Sequence, residues 1–292
     1  VRASLLNAAG SGGSGGGKSA NGFRLTLTTA TPVTTTDVTG ASTVYLTPYS
    51  SNELSLYDGS KWTVYTTAEI SIALSSLTSG KNYDIFAYYD IATAAVKLEL
   101  SAAWSSDTAR SDAVSRQDGV MVKTGDTTRR LVGTIRTTST TTTEDSKAKR
   151  FVLNQSNRTK RELYINEATD SWSYTTASYR AANGAATNCF EYVGDTDTML
   201  DADALGIASG SSAVTVASGI GIDSATVSSA QTHGITNNTS SGVVMPSTYR
   251  GRPGLGYHKI TWLEFGGTGI TMYGDVGAPT AFQAGMVGVI EG

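Results

Sequence analysis

From Phe23 onward the chain alternates. Phe23, Leu25 and Leu27 fall on one side of an extended backbone and Arg24, Thr26 and Thr28 on the other, the period of two that a half-buried strand requires. Val44–Leu46 reads as a further strand. Leu54–Tyr57 and Trp62–Tyr65 flank Asp58-Gly59-Ser60-Lys61, where glycine supplies the positive φ of a tight turn, so a hairpin is predicted. Tyr83–Tyr89 is rich in sheet-favouring aromatics and Val96–Leu100 alternates again, which predicts paired core strands. Val120–Val122, a turn at Gly125-Asp126 and Leu131–Ile135 continue the series. Two segments break the period. Thr66 and Glu69 can cap each other ahead of Ile70, Ala73, Leu74 and Leu77, whose 3–4 spacing predicts a short helix. Ser105–Gln117 is expected as a second one, ending at Asp118-Gly119.

Thr137–Ser146 (TTSTTTTEDS) has no apolar residue and is expected as an exposed connection between two units. Beyond it come short strand candidates separated by polar turns: Phe151–Leu153, Leu163–Ile165, Trp172–Tyr174, Phe190–Val193, Ala213–Ala217, Gly219–Ile222, Ile260–Phe265 and Ile270–Tyr273. Short strands at close spacing point to a sandwich or barrel. Gly285–Ile290 is expected at a sheet edge or a subunit contact. Gly10–Gly17 (GSGGSGGG) has the composition of a flexible linker. The expected fold is therefore mainly β. Two β-sandwich or jelly-roll-like units, residues 22–146 and 147–292, carry one or two short helices and follow a flexible segment over residues 1–21.

Composition narrows the chemistry. Only 16% of the residues are charged, with 32 glycines and abundant Thr and Ser, so the surface is mostly hydroxyl and amide. A net charge of -3 supplies no field for nucleic acid or an anionic membrane. No apolar run approaches the roughly 18 residues of a membrane span, and no membrane insertion is expected. The single Cys189 excludes an intrachain disulfide and a cysteine zinc cluster, and two histidines leave little for metal or triad chemistry. No catalytic residue, cofactor or metal site is expected.

Several constellations have a bland reading that fits better. Gly12–Ser19 (GGSGGGKS) satisfies the phosphate-loop pattern, but that motif works between a strand and a helix N-terminus, and here a strand follows. Asp195, Asp197, Asp201 and Asp203 lack the order of a calcium loop and read as a solvated loop. His258 and His233 have no acidic partner nearby in sequence and read as structural or loop residues; Cys189 reads as a small buried thiol. Lys147, Lys149, Arg150, Arg158, Lys160 and Arg161 read as a subunit contact or a solvated face. Most of the 14 tyrosines and 4 tryptophans lie in strand patterns. Tyr249, Arg250 and Arg252, in a turn-rich stretch, are the candidate receptor or surface contacts.

The block Gly22–Tyr49 (GFRLTLTTATPVTTTDVTGASTVYLTPY) resembles the opening of a virion-associated protein family of tailed bacteriophages, described as tail-fibre-like or head-fibre-like. The likeness continues through Leu56–Trp62 (LYDGSKW), Asp118–Arg130 (DGVMVKTGDTTRR), Gly133–Ala148, Asp170–Thr175 (DSWSYT) and Gly254–Glu264 (GLGYHKITWLE). The resemblance implies a non-enzymatic structural component on the virion surface, assembled in the bacterial cytoplasm: a homotrimeric tail or head fibre contributing to host attachment. Residues 1–21, with Val1, Arg2, Leu5 and Leu6 as contacts, are expected to anchor it to capsid or tail proteins through the flexible tether. The outer half would meet a host-surface glycan or protein. The alternatives are a capsid decoration or cement protein and a polysaccharide-degrading tailspike, whose two carboxyl groups nothing in the spacing singles out.

Overall fold

The computed structural model describes residues 17–210, 213–237, 242–277 and 280–292. They form strands and turns, and the one helical piece among them is a 3-10 turn at Ala182–Gly184. The mainly β expectation holds.

In the N-terminal half, Phe23–Thr26, Thr43–Pro48 and Ile70–Ala73 make a three-stranded antiparallel sheet. A second sheet runs Ala95–Leu100, Asn82–Asp90, Asp126–Arg136, Val120–Lys123, Val114–Gln117. Between them stands the predicted hairpin, Glu53–Tyr57 and Trp62–Thr66, with Tyr57 opposite Trp62 and Leu54 opposite Tyr65. Its turn has Gly59 at φ +100°. Phe23, Leu25, Leu46, Leu54, Leu56, Ile85 and Ile135 are buried in one shared core.

Both expected helices are corrected. Ile70–Ala73 is a strand, because Glu69 caps nothing: its carboxylate accepts the Ala30 amide at 2.7 Å and the hydroxyls of Thr29 and Thr47 at 2.5 Å. Without that cap the period of two prevails, and Ile70 and Ile72 pack on the core while Ser71 and Ala73 are exposed. Ser105–Asp112 is a series of bends, and Val114–Gln117 is a strand. Asp118 and Gly119, at φ +51° and +91°, form a two-residue hairpin turn onto Val120–Lys123, the geometry that Asp-Gly favours.

Two polar surfaces proved to be interior. Phe23–Thr26 is buried on both faces, Arg24 as completely as Phe23, because Arg24 donates to the carbonyls of Gly292 at 2.9 Å, Pro32 at 3.0 Å and Asn157. In the Thr137–Ser146 tract, Thr137, Thr143, Asp145 and Ser146 are buried, and Thr143–Asp145 is a strand. The hydroxyls of Thr137 and Thr143 donate to the carbonyls of Thr78 (2.7 Å) and Arg136 (2.6 Å), which removes the cost of enclosing them.

In the C-terminal half two sheets enclose a common core. One runs Lys149–Arg150, Cys189–Gly194, Gly256–Phe265, Val214–Ile222, Ile235–Asn237. It also takes in Thr143–Asp145 and Val38–Ala41 beyond Lys149–Arg150, so its hydrogen bonds cross the expected division at 146/147. The other runs Lys160–Asn166, Gly285–Glu291, Leu200–Gly210, Val243–Gly251, Gln231–Thr232. Leu163, Phe190, Tyr192, Leu200, Ile260, Trp262 and Met286 fill the core. Gly285–Glu291 is an interior strand of that second sheet, not an edge. Leu200–Gly210 and Val243–Gly251 were not predicted: inward Ala202 and Ala204 alternate with outward Asp201 and Asp203, residues of weak strand propensity.

Candidate functional site

The outward face of the second C-terminal sheet is where exposed apolar side chains gather. Leu200, Ala202 and Ala204 point into the core, which turns Asp201, Asp203 and Leu205 to the outside. Register then sets Val289 beside Asp201, Val287 beside Asp203 and Gly285 beside Leu205. On the other flank stand Arg250, Thr248 and Pro246. Val287 is 49% exposed, Val244 50%, Leu205 39% and Val289 37%. Tyr164, Leu205, Pro246, Gln283 and Val287 wall a groove of about 340 Å3. Gly285 lies on it because a Cβ there would come within 2.3 Å of the Ile165 carbonyl oxygen.

The charged residues on the Arg250 flank of this strip are paired. Arg250 bridges Asp201 and Asp203, and Asp203 also accepts the Thr248 hydroxyl at 2.7 Å. Burial opposes ionisation of Asp203, but these hydrogen bonds hold its carboxyl below the usual aspartate value. Tyr249 is directed to the opposite side of the same strand, half-buried against the core. Burial, then the charge of Asp223, pushes its phenol up. Arg252 is exposed beyond the strand end. Of the three surface candidates, the structure thus places Arg250 on the outward strip, Tyr249 behind it and Arg252 past its end. Val1, Arg2, Leu5 and Leu6 lie outside the described residues.

Of the basic cluster, the three arginines turn to partners within the chain, while Lys160 is exposed and Lys147 and Lys149 stay partly exposed. Arg150 and Arg161 are buried on Asp145 at 3.0 and 2.8 Å. Arg158 holds Asp195 and Asp197, Lys147 holds Glu162, and Lys149 holds Glu144. The acidic stretch Asp195–Asp203 therefore serves Arg158 and Arg250. Among the described residues, no group of three or more His, Cys, Asp or Glu side chains is placed to hold a metal ion.

The other polar concavity lies where the Asp107 loop meets the strand Gly256–Phe265. Asp107, Asp223, Tyr257 and Lys259 line about 530 Å3. His258, 3% exposed, directs Nδ1 at Asp223 Oδ2 (2.8 Å) and Nε2 at the Gly254 carbonyl (3.3 Å). Asp223 Oδ1 accepts the Lys259 amide at 2.8 Å, Tyr257 donates to Glu191 at 2.8 Å, and Arg136 pairs with Asp107 at 2.8 Å. These groups are spent on one another, and His258 is a structural residue. Its acidic partner is 35 positions away, which is why local spacing could not reveal it.

Gly12–Gly16 of the phosphate-loop pattern lie outside the described residues; Lys18-Ser19 form a turn followed by a bridge at Asn21 and the strand from Phe23, with no helix start. Cys189 is buried, and burial pushes its thiol up. No helix among the described residues is long and apolar enough to cross a membrane. The sequence matches no protein-family model and no curated protein.

Proposed function

We propose that this protein is a non-enzymatic surface component of a tailed-bacteriophage virion, a homotrimeric tail or head fibre that contributes to host attachment. The blocks that carry the resemblance supply interior strands, among them Phe23–Thr26, Asp126–Arg136 and Gly256–Phe265, which supports a shared architecture. The observation that carries the oligomeric reading is the outward strip Leu205–Val287–Val289–Val244, an exposed apolar face flanked by the Arg250–Asp201–Asp203 ion pairs. Such a face gains by being covered, and a sister copy is the partner that closed symmetry provides.

Attachment is assigned to the residues before Gly17. From Lys18 the chain belongs to the body, because Arg130 donates to the carbonyls of Ala20 (2.8 Å), Ser19 (3.2 Å) and Ser55 (2.7 Å). Removing residues 1–16 is expected to release the protein from purified particles with its melting temperature unchanged. Immunogold imaging of intact particles tests the whole reading. Label on head or tail is the expected result, and bare particles with all label in the soluble fraction would overturn it.

A further inference from the structure

The N-terminal half carries an open cleft of about 430 Å3 that the surface-fibre reading leaves unused. Tyr57 and Asp58 reach it from the hairpin, Tyr88, Tyr89 and Asp90 from the end of Asn82–Asp90, and Arg129 from the start of Asp126–Arg136. Tyr65 joins Tyr89 in a stack with centroids 4.3 Å apart and planes within 18°, which fixes both rings and leaves the outer side of the stack as a rigid aromatic wall. Ile91 projects at the rim, 87% exposed. These aromatic side chains stand at strand ends beside turns and are half-exposed.

The polar groups are fixed before any ligand arrives. Asp58 Oδ1 accepts the amides of Ser60 and Lys61 and the Ser60 hydroxyl, all at 2.9 Å, so its other oxygen is directed away from its own turn. Asp90 accepts the Ala92 amide at 3.1 Å and the Thr93 hydroxyl at 2.7 Å, and pairs with Lys97. Lys97, then Thr93, holds the Asp90 carboxyl down at about 2. Arg129 lies over the Tyr88 ring at 4.0 Å and is oriented by Glu99 at 2.8 Å. Lys97 pairs with Asp90, Arg129 is itself paired with Glu99 and Asp126, and Lys61 lies near enough to Asp58 to lower its pKa, so the lining presents little uncompensated charge to an ammonium ion or an anion.

Aromatic planes beside fixed acceptors and a guanidinium fork match a ligand with an apolar C–H face and a rim of hydroxyls. We propose that this cleft binds a neutral pyranose residue of a glycan, with the outer side of the Tyr65–Tyr89 stack against the C–H face and Asp58 and Arg129 on the hydroxyls. The assignment does not depend on particle location or oligomeric state.

The test applies the purified full chain to a printed array of neutral hexose-containing glycans, followed by saturation-transfer NMR with the retained sugars and with tetramethylammonium chloride. Retention of at least one glycan is expected, with saturation strongest on ring C–H protons. Tyr89→Leu keeps apolar volume and removes the flat ring, and Asp58→Asn removes an acceptor charge at an exposed site. Each is expected to weaken binding at least tenfold while circular dichroism stays native, and Val227→Ser, at an exposed C-terminal loop position, is expected to leave it unchanged. Should one variant fail to fold, the other decides. An empty array, binding undiminished in the folded variants, or saturation of tetramethylammonium in place of sugar would each overturn the assignment.

Discussion

Asp145 faces two guanidinium groups, Arg150 at 3.0 Å and Arg161 at 2.8 Å, and all three side chains are buried. Arg24 adds a third positive charge to this seam, and burial, then the charge of Arg161, lowers its pKa to about 10. Removing one member of a buried pair leaves the other uncompensated, so Asp145→Asn is expected to cost about 3–5 kcal/mol. A urea midpoint that falls with an unchanged slope is the reading to look for. Asp223 offers a pH test. Its burial opposes ionisation, but His258 and the Lys259 amide hold its carboxyl below the ordinary value of 3.8. A depressed carboxyl contributes stability above its unfolded value and loses it as pH falls through the folded one. The advantage of the native protein over Asp223→Asn in denaturant unfolding is therefore expected in full above pH 3.8 and to shrink progressively below it. Neither site was legible locally. The basic run Lys147–Arg161 is visible in the sequence, but its partners include Asp195 and Asp197, supplied by a distant strand end.

At the scale of elements, the contest was between periods of two and of three to four. Ile70, Ala73, Leu74 and Leu77 fit a helix, yet the free edge of Thr43–Pro48 captured Ile70–Ala73, because sheet hydrogen bonds were available and the capping carboxylate was engaged elsewhere. Where strand and turn signals agreed, as in the Asp58–Lys61 hairpin, local pattern sufficed. One element junction is specified by backbone alone. Gly256 opens the strand Gly256–Phe265 at φ +109°, and a Cβ there would lie 2.1 Å from the Asp107 carbonyl oxygen. The Tyr257 amide donates to that same oxygen at 2.9 Å, tying the Asp107 loop to the C-terminal sheet. Gly256→Ala adds both a left-handed backbone and an overlap, and is expected to destabilise by at least about 2 kcal/mol. Loss of amide exchange protection at Tyr257 beyond that at Phe86 would locate the damage at the junction.

For the whole molecule, the proposed homotrimer is tested at the outward strip of the C-terminal sheet. If a sister copy covers it, Val287→Glu with Val289→Glu buries two unpaired charges in the contact, and light scattering is expected to change from trimer to monomer with near-native circular dichroism. A monomer already in the native protein would remove the homotrimer from the proposed function and leave the glycan cleft untouched. The two halves share more than adjacency. Val38–Ala41 and Thr143–Asp145 continue the sheet of Cys189–Gly194, and Arg24 holds the carbonyl of Gly292.

Alternation, turn chemistry and the shortage of charge were enough, from sequence, to specify a mainly β chain, the first hairpin and most C-terminal strands, because a period of two and an Asp-Gly turn act within a few residues. Only the tertiary structure decided that Ile70–Ala73 is a strand, that Thr137, Thr143, Asp145 and Ser146 of the threonine tract are interior, and that Arg150, Arg158 and Arg161 of the basic cluster are consumed within the chain. It alone brought four tyrosines, two from the hairpin and two from Asn82–Asp90, around one cleft. The physical reason is the same throughout: hydrogen bonds, ion pairs and shared apolar surface between segments far apart in sequence outweigh local preference, and no window along the chain contains both partners.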